Sequence, residues 1–217
     1  MSTFPNSPRL LKGGMVLLDP SSGRVQRVIP LQYNPETLSR SLQVQGVNVD
    51  SGDRSEALRL KGPPIETLRI DADIDAADQL EVADPAAVQF GIYPQLAALE
   101  MLVYPTSRQL LDNDRLAQAG TLEIAPMETP LTLFVWSKTR VLPVRLTEFS
   151  ITEEEFDPAL NPIRAKVSLG MRVLSVDDLG FAHRGGSLYM NYHQQKESLA
   201  AFSRSGTLGA LGLGGGL

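Results

Sequence analysis

The sequence predicts a mostly β, α+β fold: an antiparallel barrel or sandwich with one main helix, long loops and a C-terminal extension. Three observations carry this. Residues 38–44 alternate, with Leu38, Arg40, Leu42 and Val44 on one side and Ser39, Ser41 and Gln43 on the other. Residues 163–173 alternate more cleanly: Ile163, Ala165, Val167, Leu169, Met171 and Val173 face one way, and Arg164, Lys166, Ser168 and Arg172 the other. A period of two marks a sheet with two different faces. Between these segments Val88, Ile92, Leu96, Leu99 and Val103 recur at the three- and four-residue steps of a helix.

The elements follow in order. Residues 1–13 read as an arm, and Gly14 to Asp19 as a short strand. Pro20-Ser21-Ser22-Gly23 has turn composition. Arg24 to Gln32 returns antiparallel, and 36–45 continues the sheet after an Asn34-Pro35 corner. Proline fixes its own φ and pushes Asn34 toward extended geometry, so that corner is stiff. Residues 46–64 form a long, glycine-dotted loop, of the kind that is functional or mobile in compact domains. Residues 65–74 alternate again, with Leu68, Ile70, Ala72 and Ile74 inward. Asp84-Pro85 caps a helix over 86–104, which Gly91 and Pro94 divide near Tyr93 and Pro105 ends. Residues 106–130 are a second long connection, with a short helix at 108–118. Leu131 to Trp136, a turn at Ser137-Lys138-Thr139, and Arg140 to Phe149 make a second hairpin. The regions 14–45 and 131–174 can be halves of one barrel or sandwich with the helix between them. A weak helix at 187–202 precedes a Gly/Leu tail over 206–217. The chain thus divides into an arm (1–13), a β domain (14–180) and a C-terminal extension (181–217).

Composition narrows the function classes. At 217 residues the chain is one large β-rich domain or two small ones. It has no cysteine, which excludes disulfides, thiolate metal sites and a cysteine nucleophile and fits a reducing, cytoplasmic compartment. The net charge of −5 argues against a nucleic-acid partner. No stretch of about 18 apolar residues is present to span a membrane, and the start lacks a signal-peptide core.

Candidate chemistry is thin. Asp71, Asp73, Asp75 and Asp78 imitate a calcium ladder, but the loop positions that need Gly and Glu hold Ala76 and Val82. Glu153, Glu154 and Glu155 lie in a row, whereas acid–base pairs face each other across a cleft, so a solvated or subunit-facing strand end is the simpler reading. His183 and His193 have no rigid third group to orient them as bases. The terminal Gly209 to Gly214 run follows no strand and opens no helix, which removes a dinucleotide loop. Phe134 and Trp136 are core aromatics or a sugar platform. These readings exclude an enzyme, a cofactor and a metal from the expectation. A carbohydrate- or peptidoglycan-binding module is the alternative, weakened by an aromatic content of 6%.

Four segments carry a family resemblance. They are Leu31-Gln-Tyr-Asn-Pro-Glu-Thr-Leu38, residues 91–105 from Gly91-Ile-Tyr-Pro to Tyr-Pro105, Val141 to Phe149, and Phe156-Asp-Pro-Ala-Leu-Asn-Pro162 running on to Val167. In this order they resemble the tube-adaptor, or tube-initiator, baseplate protein of extracellular contractile injection systems, which are phage-tail-like particles. The likeness spans about 14–178. It implies a tube-protein-like β-barrel with a flanking helix. It also implies a hexameric ring that joins the spike protein and other baseplate subunits to the inner tube protein, with no catalytic residues. Some relatives carry a LysM module; the tail here does not match one. Ring closure is expected where each subunit's sheet edge pairs with the next. Candidate interface residues are Tyr33, Asn34 and Pro35 at the corner, Arg40, Arg145, Arg164, Lys166 and Arg172 on strands, and Leu208 and Leu211 in the tail.

Overall fold

The computed structural model describes residues 11–19, 22–46, 58–120, 129–203 and 206. These residues form seven strands: β1 (Gly14–Leu18), β2 (Val25–Pro30), β3 (Leu38–Gln43), β4 (Ile65–Asp75), β5 (Leu131–Ser137), β6 (Arg140–Phe156) and β7 (Pro162–Val173). Six helices accompany them: α1 (Ala77–Glu81), α2 (Pro85–Phe90), α3 (Tyr93–Glu100), α4 (Ser107–Gln118), α5 (Val176–Leu179) and α6 (Arg184–Ala201). All strands join one antiparallel sheet in the order β2-β1-β5-β6-β7-β4-β3. The α+β fold is as the sequence predicts, and the sheet is curled but not closed into a barrel.

The order places β2 and β3 at opposite edges, although they are consecutive in the chain. β2 pairs with β1 in the hairpin that the sequence predicts, and β3 continues the same sheet after the Asn34-Pro35 corner, but at its far edge, paired with β4. Residues 31–37 alone join the two edges. A flat seven-stranded sheet is about 29 Å across at ~4.8 Å per strand. Eight extended steps from Pro30 to Leu38 reach about 29 Å at most. The connection is bent at Gln32–Tyr33 and Glu36, so it falls short of that span. The sheet must therefore roll until its edges approach each other.

Gln32 fixes the rolled state. Its Nε2 donates to Asp75 O at 2.6 Å, and Asp75 N donates to its Oε1 at 2.9 Å. The side-chain amide thus stands in for a strand peptide at the end of β4. Asn34 acts similarly on the incoming chain, accepting from Gly13 N at 2.9 Å and donating to Leu11 O at 2.7 Å.

The concave face holds the core. Leu68, Ile70, Ala72 and Ile74 of β4 point inward as the alternation predicts, against Ala165, Val167, Leu169 and Met171 of β7. Phe134 is fully buried, and Trp136 packs at the margin, 5.8 Å away ring to ring. The predicted helix is present in two pieces, broken at Gly91–Ile92. Asp84 Oδ1 accepts from Ala86 N and Ala87 N to cap the first, with Pro85 in its first turn. Ile92, Leu96 and Leu99 enter the core, whereas Val88 and Val103 turn to solvent.

Gly91 makes the break possible. Its φ is +59°, and a Cβ there would stand 2.1 Å from Pro162 O. The close approach lets Ile92 N donate to the same carbonyl at 2.9 Å. Gly91→Ala should therefore lose about 2–3 kcal/mol in urea denaturation, from backbone strain plus displaced packing. Gly120, at φ +81° with nothing near its missing Cβ, isolates the backbone part; Gly120→Ala should lose only about 1 kcal/mol. Equal losses from the two variants would show that the Gly91–Pro162 contact contributes nothing.

Candidate assembly surfaces

The convex face of β6, β7 and β4 is a lattice of charges. Lys166 Nζ lies 3.1 Å from Glu154 Oε1. Arg164 reaches Glu155 at 3.7 Å and Asp75 at 4.0 Å, Arg172 bonds Asp178 at 2.7 Å, and Arg69 pairs with Glu148. Asp71 accepts from Ser168 Oγ. Antiparallel register puts Asp75 directly opposite Arg164, so that pair forms without long side chains having to search. Three of the predicted interface cations, Arg164, Lys166 and Arg172, are thus engaged within the chain. Arg145 differs: it is exposed, stands directly across from Arg172, and has no ion-pair partner among the described residues. It is the cation of this face with charge to offer a partner.

Arg40 belongs to a second, inward network. Glu66 is in phase with Leu68 and Ile70 on the apolar face and is 3% exposed. A buried carboxylate must be paired and hydrogen-bonded. Tyr192 OH donates to its Oε1 at 3.1 Å, Lys196 Nζ binds Oε2 at 2.9 Å, and Arg40 Nε approaches at 3.6 Å. Lys196 also sits 4.0 Å over the Tyr192 ring. Neighbouring Tyr189 is buried, which pushes its phenol above the ordinary range, with the Glu66 charge adding to the effect.

This network explains α6, whose sequence reads only as a weak helix over 187–202. Tyr189 and Tyr192 belong to the main core. His183 caps the N-terminus by accepting from Gly185 N at 3.0 Å. His193 stacks on Tyr189 and pairs with Glu197. The helix seats on the chain's own sheet, where its tyrosines find apolar room. Leu208 and Leu211 lie outside the described residues.

Other surfaces are free. Tyr33 is exposed at the corner, beside Asn34 and half-buried Pro35. The tip between β6 and β7 is ordered by Asp157, whose Oδ1 accepts from Ala159 N at 2.7 Å and Asn161 N at 2.8 Å. These bonds, led by the one from the Asn161 side chain, lower the Asp157 pKa below the usual carboxylate value. Helix α4 was legible only as a short helix in a loop. It carries a full capping box from Thr106 and Gln109 yet buries none of its residues, leaving Leu110, Leu111 and Leu116 exposed. Twelve-residue helices are marginal alone, so the capping box contributes much of what holds this one. Among the described residues no three His, Asp or Glu side chains are placed to hold a metal, and no helix is long and apolar enough to cross a membrane.

Glu66→Ala should cost about 2–3 kcal/mol. That is below the range for a fully enclosed pair because Lys196 and Arg40 both reach solvent. Hydrogen exchange should quicken first over 184–201. Protection of α6 that is unchanged in this variant would show that the tyrosines alone hold the helix.

No protein-family model matches the chain, and no curated protein does. Among solved structures it is similar to a chain in the virion of a native gene transfer agent particle. That chain is 12% identical, with a TM-score of 0.28, and the match covers 74% of this chain and 90% of that one. A chain in the tail of an empty gene transfer agent particle, refined with C6 helical symmetry, is 13% identical, with a TM-score of 0.30 and coverage of 75% and 90%. These scores are too low to establish a common fold.

Proposed function

We propose that the protein is a structural subunit of a contractile, phage-tail-like injection particle, forming a ring that connects the spike and baseplate hub to the inner tube. One observation carries the reading: three of the four segments with the family resemblance meet where β4 ends and β7 begins. Segment 31–38 is the bent crossing that Gln32 ties to Asp75. Segment 91–105 begins at the Gly91 break and contributes α3, and segment 156–167 provides Pro162, which accepts from Ile92 N. Ala76 N, just beyond Asp75, donates to Ile163 O; the fourth segment, 141–149, lies at the other end of β6, paired with Leu169 to Val173 of β7. That motifs so far apart in the chain come together in the fold supports the reading.

The surfaces suit such a role. Both sheet edges carry exposed apolar residues, Val25 and Val28 on β2 and Leu42 and Val44 at the β3 end. Bare edges on a lone molecule are a liability that ring closure removes. Arg145, Tyr33 and the α4 leucines supply further contacts to inner tube, spike and neighbouring baseplate subunits.

Removing the gene from a producing strain should abolish joined tube-and-baseplate particles in electron micrographs. Full-length, contractile particles in the deletion strain would exclude the role. Leu169→Asp should act almost as strongly, because Leu169 is fully buried and an unpaired charge in a core costs several kcal/mol. An imaged baseplate should hold six copies of the chain; three copies would exclude the hexameric ring.

A further inference from the structure

The curled sheet and α3 enclose a cavity of about 410 Å³, within the range of pockets that hold small molecules. Its walls come from β2, β4, β7 and α3. The floor is apolar, with Ile29, Leu99, Val167 and Leu169 buried there. Exposed Arg27, Pro30 and Pro94 mark the mouth. Strand length explains why there is room. β3 ends opposite Ile70, so Ala72 and Ile74 of β4 have, among the described residues, no strand beyond them. Helix α3 presents only the small side chain of Ala98 to the same space.

Two charged residues line the cavity, and strand alternation separates them. Asp73 lies between buried Ala72 and Ile74, so its carboxylate turns to the convex face. Arg27 comes two residues before buried Ile29 and stands opposite buried Leu17 of β1, so its side chain rises from the apolar face. It is exposed, and among the described residues its guanidinium has no ion pair and no hydrogen bond. Of the other polar side chains in the lining, Gln32 has both amide atoms committed to Asp75, and Gln95 is uncharged.

A lone cation at the mouth of an apolar pocket defines its complement: an apolar tail that ends in one negative charge. A neutral apolar molecule leaves the guanidinium without a partner. A phosphate head carries a second charge, for which the lining holds no second cation. A carboxylate matches the guanidinium fork in both charge and geometry. We propose that this cavity binds an aliphatic carboxylate, with its tail against Leu99, Val167 and Leu169 and its head on Arg27. The inference stands apart from the particle role, and either can fail without the other.

Calorimetric titration of the full-length protein with hexanoate, octanoate and octan-1-ol tests it. Affinity should rise about fourfold for each methylene from hexanoate to octanoate. The alcohol should bind about fivefold more weakly than octanoate, because it lacks the charge. Arg27→Gln changes an exposed side chain and leaves the core intact; it should bring octanoate down to the level of the alcohol, and Arg27→Lys should restore part of the difference. Ala98→Leu fills the cavity and should weaken both ligands at least about tenfold. Absence of octanoate binding, or octanoate binding unchanged in Arg27→Gln or in Ala98→Leu, would overturn the proposal. Equal affinity for the acid and the alcohol would also overturn it, and would assign the cavity to neutral apolar molecules.

Discussion

Seven residues, 31–37, must bridge two edges that the strand order sets farthest apart. Almost every feature of the interior follows from that short tether. It rolls the sheet, and rolling turns one face of each long strand into a shared cavity wall. Two side-chain amides do the fastening: Gln32 imitates a peptide group for Asp75, and Asn34 does so for the chain around Gly13. An amide is suited to this, because it presents one donor and one acceptor at nearly the spacing of the backbone. A carboxylate could accept twice but donate nothing, and would leave Asp75 O unpaired.

Rolling creates two further requirements. The space inside the curve is too wide for facing side chains alone, so α3 lays Leu96 and Leu99 into it. The end near the β1–β2 turn and the start of β4 needs a cover, and α6 crosses it from Arg184, beside Gly23, to Lys196 on Glu66. Placing a carboxylate inside is costly by itself. Three partners from two elements offset that cost, and they also fix where the helix sits, since only one placement satisfies all of them.

How much of this the sequence disclosed depended on the range of the interactions involved. Strands β4 and β7 were legible because both faces are decided locally, by apolar and polar residues in alternation. The α2–α3 break was legible because Gly91 and Pro94 act on their own backbone. The partner of β3 was not legible, since nothing local marks an edge strand or says which strand it joins. Glu66 left one clue, its phase with Leu68 and Ile70. Its partners stand 126 and 130 residues away, beyond any pattern reading. That distance made α6 look weaker than it is, and Arg40 reaches Tyr192 of the same helix across 152 residues. Arg164, Lys166 and Arg172 were correctly seen as outward-facing, but outward-facing is not unpaired, and cross-strand register supplied acids that spacing alone did not reveal.

Strand β6 runs to Phe156, yet its pairing with β5 ends at Val144. Twelve residues, 145–156, therefore have β7 on one side and, among the described residues, no strand on the other. The register slips between Leu146 and Glu148, and Glu155 takes a positive φ of 54°, so the ribbon is twisted at both ends of this stretch. Glu148, Glu154 and Glu155 along it are held in ion pairs with Arg69, Lys166 and Arg164. Salt shortens the reach of charge interactions from about 10 Å at 0.1 M to about 3 Å at 1 M. Concentrated salt consequently weakens the side-chain contacts that hold this ribbon, whereas strands paired on both sides do not depend on them.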